Sequence, residues 1–263
     1  MLLCGTIDRH FPADHPRLSV GIGEWSGRLS VKFVMGRLTT FVVTVAALAA
    51  VVAQQPVLQH YEVASRESTL YRVAVVGDSY TNGTAIGGQG PKAWTVQAWQ
   101  TLAGRGVHVA PDVAAEGRAG YSVRGDQGSI FLDLTGRAVR PDDALVVFFG
   151  SRNDQGVDPS ALAGMSHDAF ALARRIAPSA RLLVIGPPWP TTAPPPAVLQ
   201  IRDILKSQAQ AAGASFFDPI SAGWFAGRPD LIGADGVHPT DAGHAYLAQR
   251  ITPLINAQLP RGV

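Results

Sequence analysis

Cysteine is almost absent from this chain, and charge is sparse. The single cysteine, Cys4, lies at the far amino terminus, which excludes a disulfide framework and any cysteine-based metal site. Charged residues make up only 16%, the net charge is +2, and no basic run stands out. A nucleic-acid partner is therefore not expected. His108 and His167 have no partner at metal-ligand spacing, so neither a metal nor a cofactor is expected. No internal repeat occurs either. Apolar residues, by contrast, are plentiful at 46%, enough for a large globular core.

Residues 38–53 form an uncharged apolar run preceded by Lys32 and Arg37 and ending in Val51-Val52-Ala53. At 16 residues it is short for a spanning helix, which needs about 20. Its small-residue end resembles a secretory cleavage site, so it reads as a signal peptide cut after Ala53. An uncleaved membrane anchor is the alternative, and a buried core helix fits least because the run has no polar face. Met35-Gly36-Arg37 would make an ordinary start before such a leader, so residues 1–34 are expected to lie upstream of the true start. The chain is thus expected to be secreted or cell-envelope associated, with membrane association possible through residues 38–53. A mature domain without thiols is indifferent to the redox compartment. The expected layout is an extension plus leader over 1–53, a polar linker over 54–69, and one domain over 70–259.

Within that domain, Arg72-Val73-Ala74-Val75-Val76 is an apolar run that stops at Gly77-Asp78-Ser79-Tyr80. Such a run reads as a strand buried on both faces, and Gly77 permits a sharp turn. Further strands are expected over 107–115 (weakened by Pro111), 144–149, 181–185 and 214–217. Helices are expected over 93–103, 160–177, 197–212 and 240–258, the last capped near Thr240. Strands alternating with helices predict a three-layer α/β/α sandwich on about five parallel strands. The glycine-rich loop 81–91 lacks both the Gly-Lys-Ser/Thr of a phosphate loop and dinucleotide spacing.

Polar, glycine-bearing loops end these strands, and open parallel sheets place their ligands at that edge. Ser79 follows the first strand, Gly120 the second and Asn153 the third; Asp235 and His238 lie before the last helix. A serine hydroxyl becomes nucleophilic when a base takes its proton. Histidine suits that task, and a carboxylate fixes its tautomer. Asp235, three residues before His238, can sit on the same loop. The N–H groups of Ser79 and Gly120 and the Asn153 amide could face a developing oxyanion. Taken alone, Ser79 could equally cap a helix.

Gly77-Asp78-Ser79, Gly117-Arg118-Ala119-Gly120, Asn153-Asp154 and Asp235-Gly236-Val237-His238-Pro239 together resemble the four blocks of the SGNH, or GDSL, hydrolase superfamily. The resemblance spans about 70–245. It implies a flavodoxin-like SGNH fold and a serine esterase or lipase, with Ser79 as nucleophile, His238 as base and Asp235 as its orienter. It also implies an oxyanion hole of Ser79, Gly120 and Asn153. The substrate would be a small-molecule, lipid or acylated-glycan ester.

Some positions depart from the family pattern. Tyr80 stands where Leu or Ile is common, and is expected to pack. Ser151 replaces a glycine two residues before Asn153. Glu116 replaces an asparagine and is expected to be solvated. Asp154 is expected to brace its own loop, and His244 to lie at the surface or half-buried. Arg152 is expected in a surface ion pair rather than on substrate, and Trp189 either walls the pocket or stiffens a surface loop. An exported carboxylesterase or lipase is the leading function. Carbohydrate O-acetyl esterase activity is the alternative within the same chemistry, and a non-catalytic carbohydrate- or lipid-binding module is the alternative outside it. A nucleotide-binding flavodoxin-like protein fits worst, because it does not account for His238.

Overall fold

The computed structural model describes residues 70–260. Cys4, the leader expected at 38–53 and the linker expected at 54–69 lie outside the described residues. The strands are β1 Leu70–Gly77, β2 His108–Ala115, β3 Leu145–Phe149, β4 Arg181–Ile185 and β5 Ser215–Phe217. The helices among the described residues are α1 Ser79–Asn82, α2 Trp94–Ala103, α3 Phe131–Ala138, α4 Pro159–Ile176, α5 Pro196–Ala211 and α6 Asp241–Gln258.

All strand pairs are parallel, in the order β2-β1-β3-β4-β5. Side chains alternate across a strand, so each apolar run feeds two cores. Ala74, Val76, Val146 and Phe148 face one side, where α3, α4 and α5 add Phe131, Phe170 and Leu205. Val73, Val75, Val147 and Phe149 face the other, where α2 and α6 add Trp94, Leu102, Leu247 and Ile251. The result is the expected α/β/α sandwich. Pro111 lies in β2, an edge strand, where a missing backbone donor is tolerated.

Two helices depart from expectation, the short α1 at Ser79–Asn82, where a glycine-rich loop is expected from 81, and α3. Phe131–Ala138 is a helix of 8 residues, although its sequence carries Gly136 and follows a loop-like Gly-Asp-Gln-Gly-Ser run. Tertiary packing decides it: Phe131, Leu134 and Ala138 share one buried face, and the Ile130 N–H donates to Asp133 Oδ2 at 3.1 Å at its start.

Phe148 illustrates how tightly the first core is filled. Its ring is fully buried, 4.9 Å from the Phe170 centroid and 6.5 Å from that of Tyr121. Phe148→Ala is expected to cost about 3–5 kcal/mol of unfolding free energy, measured by urea titration; a loss below about 1 kcal/mol would contradict this packing.

Candidate active site

The polar loops do gather at the carboxyl edge of the sheet. β1 ends at Gly77, where a Cβ would lie 2.3 Å from Thr81 Oγ1 and 3.3 Å from the Phe149 carbonyl oxygen. Only glycine lets the chain turn that tightly into α1. Asp78 caps the turn, accepting the Tyr80 N–H on Oδ1 at 2.9 Å, and Ser79 becomes the first residue of α1. Its Oγ lies 3.1 Å from His238 Nε2. On the other side of the ring, His238 Nδ1 is 2.6 Å from Asp235 Oδ2.

The loop bearing Asp235 and His238 is self-braced. Asp235 Oδ1 accepts the N–H groups of Val237 and His238 at 2.9 and 3.0 Å. The Gly233 N–H donates to the His238 carbonyl at 2.9 Å. Thr240 then caps α6, its hydroxyl accepting the Gly243 N–H at 3.1 Å. Partial burial pushes the Asp235 carboxyl up. The His238 ring and the two loop N–H groups outweigh that and hold it down at about 2. An ionised Asp235 requires a proton on Nδ1, which leaves the Nε2 lone pair of a neutral ring facing Ser79.

Tyr80 ties this loop to the serine turn. Its ring is buried, edge-on to Phe149 and Phe225 at 6.3 Å each, and its hydroxyl donates to the Val237 carbonyl at 2.5 Å. It packs, as expected, and it also fastens the backbone next to His238. Asn153 reaches the same floor, its Nδ2 donating to the Ala119 carbonyl at 2.9 Å and lying 3.5 Å from Asp78 Oδ2. Ser151, where a glycine is common, donates its hydroxyl to the same Ala119 carbonyl at 3.0 Å. Ser79, His238, Asp235 and Asn153 therefore converge.

A family model described as GDSL-like lipase/acylhydrolase matches residues 75–246. This chain belongs to that family. It is 58% identical over 229 residues to GDSL lipase Rv0518 of Mycobacterium tuberculosis, across 86% of this chain and 99% of that protein. Its fold is similar to that of a lipase/acylhydrolase from Enterococcus faecalis (TM-score 0.56, 17% identity, 73% of this chain and 99% of that one). It is also similar to Est24, a carbohydrate acetylesterase from Sinorhizobium meliloti (TM-score 0.52, 18% identity, 71% and 99%). The protein is thus an esterase- or lipase-type hydrolase of SGNH architecture.

Besides Arg152, taken up below, four residues of this GDSL hydrolase differ from the sequence expectations. The Gly120 N–H, expected to face the site, donates instead to the Val123 carbonyl at 2.9 Å. The Ser79 N–H, in contrast, has no acceptor among the described residues. Asp154 braces a different loop from its own. It is 1% exposed and accepts the N–H groups of Tyr121, Ser122 and Val123 at 2.8, 2.8 and 3.1 Å. It lies so close to Gly120 that a Cβ there would meet Asp154 Oδ1 at 2.5 Å. Glu116 is not solvated but 2% exposed, and accepts the Gln127 and Ser129 N–H groups. Desolvation opposes its ionisation, yet the Ser129 hydroxyl and those N–H groups hold its carboxyl below the ordinary range. His244 is buried under the backbone of Gly88, and burial pushes its pKa down to about 4.

A surface pocket of about 410 Å³ lined by Tyr71, Arg105, Asn256 and Leu259 opens at the opposite, amino-terminal edge of the sheet. None of the converging residues borders it.

Asp78 was not singled out in the sequence, although it stands next to Ser79. Burial, opposed by the Tyr80 N–H and the neighbouring Ser151 hydroxyl, raises its pKa from 3.8 to about 6. The folded chain therefore holds this proton more tightly than the unfolded one. The stability it contributes is fully present below the unfolded value near 3.8 and is lost as pH rises through about 6. Asp78→Asn should remove that dependence. Its unfolding free energy relative to the native chain is expected to rise by about 2–3 kcal/mol between pH 4 and 7, followed by urea titration; a constant difference would contradict the raised pKa. Tyr80→Phe should cost about 0.5–1.5 kcal/mol in the same measurement, for one lost hydrogen bond. A neutral result would mean that the Val237 contact contributes nothing.

Proposed function

We propose that this chain is an exported serine ester hydrolase that cleaves carboxylic esters through an acyl-enzyme on Ser79. The observation that carries the reading is the continuous hydrogen-bonded line from Asp235 through His238 to Ser79, at 2.6 and 3.1 Å. In this mechanism Ser79 Oγ attacks the ester carbonyl carbon while its proton passes to His238 Nε2. The carbon–oxygen bond to the alcohol then breaks, and His238 returns the proton to the departing oxygen. Water, deprotonated by the same nitrogen, attacks the acyl-serine and releases the carboxylic acid. Asp235 keeps the ring oriented and stabilises the imidazolium.

Three donors are assigned to the oxyanion. The Ser79 N–H is free to serve, and the Asn153 amide is adjacent. The Gly120 N–H would have to exchange its Val123 carbonyl for the oxyanion. Export rests on the leader-like run at 38–53 alone.

A second substrate reading is carbohydrate O-deacetylation. The side chains of His238 and Asp235 are 27% and 35% exposed, so the base opens directly to solvent rather than into an apolar tunnel. That openness suits a polar, branched glycan better than a long acyl chain. On this reading p-nitrophenyl acetate and acetylated xylan should be cleaved and p-nitrophenyl palmitate should be nearly inert.

The test of the chemistry is labelling with a fluorophosphonate probe. The native chain should be labelled at Ser79, while Ser79→Ala should not react. Ser79→Ala and His238→Ala should each lower kcat by about 10⁴-fold or more with an unchanged circular dichroism spectrum. Asn153→Ala should lower kcat by about 10²–10³-fold. Absence of labelling at neutral pH would favour a non-catalytic carbohydrate- or lipid-binding module instead.

A further inference from the structure

Next to Asn153, a cation is left without an anion. The guanidinium carbon of Arg152 lies 4.1 Å above the centroid of the Trp189 ring. The indole is fixed in turn, its Nε1–H donating to Thr191 Oγ1 at 3.0 Å. The surface ion pair expected for Arg152 does not form: among the described residues no carboxylate lies within ion-pair distance of it. Its Nη1 is buried and has no acceptor among the described residues. The backbone that carries it is anchored on both sides, since Ser151 and Asn153 each donate to the Ala119 carbonyl.

Position follows from Tyr80. The Arg152 guanidinium lies against the Tyr80 hydroxyl, which donates to the Val237 carbonyl beside His238. The guanidinium therefore stands on the His238 side of the hollow. A buried donor without an acceptor is unfavourable, and the stack on Trp189 occupies only the face of the guanidinium. Beyond the Tyr80 hydroxyl, its edge, the fork that grips carboxylate or phosphate in two parallel hydrogen bonds, meets no acceptor among the described residues.

We propose that Arg152, held flat on Trp189, is a specificity-determining residue that binds a carboxylate or phosphate on the alcohol part of the ester. The assignment rests on the hydrolase reading above. His238 must hand its proton to the departing alcohol oxygen, so the alcohol part lies on the side where Arg152 waits. Acidic sugars and phosphorylated alcohols both carry such a group.

Three acetyl esters separate the possibilities: 4-acetoxybenzoate, 4-acetoxyphenyl phosphate and neutral methyl 4-acetoxybenzoate. Arg152→Gln should lower kcat/KM on one of the anionic esters about tenfold more than on the neutral one, mainly through KM. Arg152→Lys should recover part of that difference. The arm that shows the effect tells carboxylate from phosphate. Without turnover, 4-hydroxybenzoate or phenyl phosphate should protect Ser79 from fluorophosphonate in the native chain and not in Arg152→Gln. Equal losses on all three esters together with equal protection would overturn the assignment and leave Arg152 as a packing partner of Trp189. A native chain that neither labels nor hydrolyses any ester would overturn the hydrolase reading, and this assignment with it.

Discussion

The hydrogen bond between Ser79 and His238 joins side chains 159 positions apart, and the parallel sheet is what makes it possible. Each parallel strand must be re-entered from the same end, so every loop after a strand opens on one edge. β1 delivers Ser79 there. The long segment after β5 delivers Asp235 and His238 there from the far end of the chain. The two meet because α6 packs against the same core face as α2, which returns the carboxy-terminal segment to the middle of the sheet rather than leaving it at the β5 edge.

Three buried carboxylates keep that edge in shape. Asp78, Glu116 and Asp154 are each 2% exposed or less, and among the described residues none is in an ion pair. Backbone N–H groups take the place of cations: Tyr80 for Asp78, Gln127 and Ser129 for Glu116, Tyr121 to Val123 for Asp154. Loops that approach a site closely leave amides without partners, and an unpaired buried amide is costly. A carboxylate can satisfy several at once. The balance is not the same in each case. At Glu116 the hydrogen bonds win and the acid stays readily ionised, whereas at Asp78 and Asp154 burial wins and the pKa rises.

This contrast marks where sequence reasoning succeeds. The runs at β1, β3 and β4 are legible because a strand buried on both faces has no polar position to confuse the pattern. The four polar blocks are legible because their chemistry is short-range: Asp235 and His238 sit on one loop, and Gly77-Asp78-Ser79 is one turn. What sequence misses is long-range. Nothing local says that Glu116 is covered by residues 125–129, that Asp154 reaches across to 121–123, or that His244 lies under Gly88. Exposure is the default for such residues, and the covering chain comes from elsewhere. The helix at α3 is missed for the same reason, since its buried face, and not its propensity, holds it together.

The hydrogen bond held by Gly120 bears on how acyl transfer would be favoured in this scaffold. In the resting chain its N–H is satisfied by a neutral carbonyl, that of Val123. A neutral hydrogen bond of this kind contributes about 0.5–1.5 kcal/mol, and one to a charged oxygen about 1.5–3 kcal/mol. A substrate carbonyl, itself neutral, gains nothing by displacing Val123. A developing oxyanion does. On the acyl-transfer reading, the exchange becomes favourable only as charge appears on the oxygen, so the contact binds the transition state without also binding the ground state. The Ser79 N–H, fixed by the first turn of α1 and without another partner among the described residues, would supply the constant part of the same stabilisation.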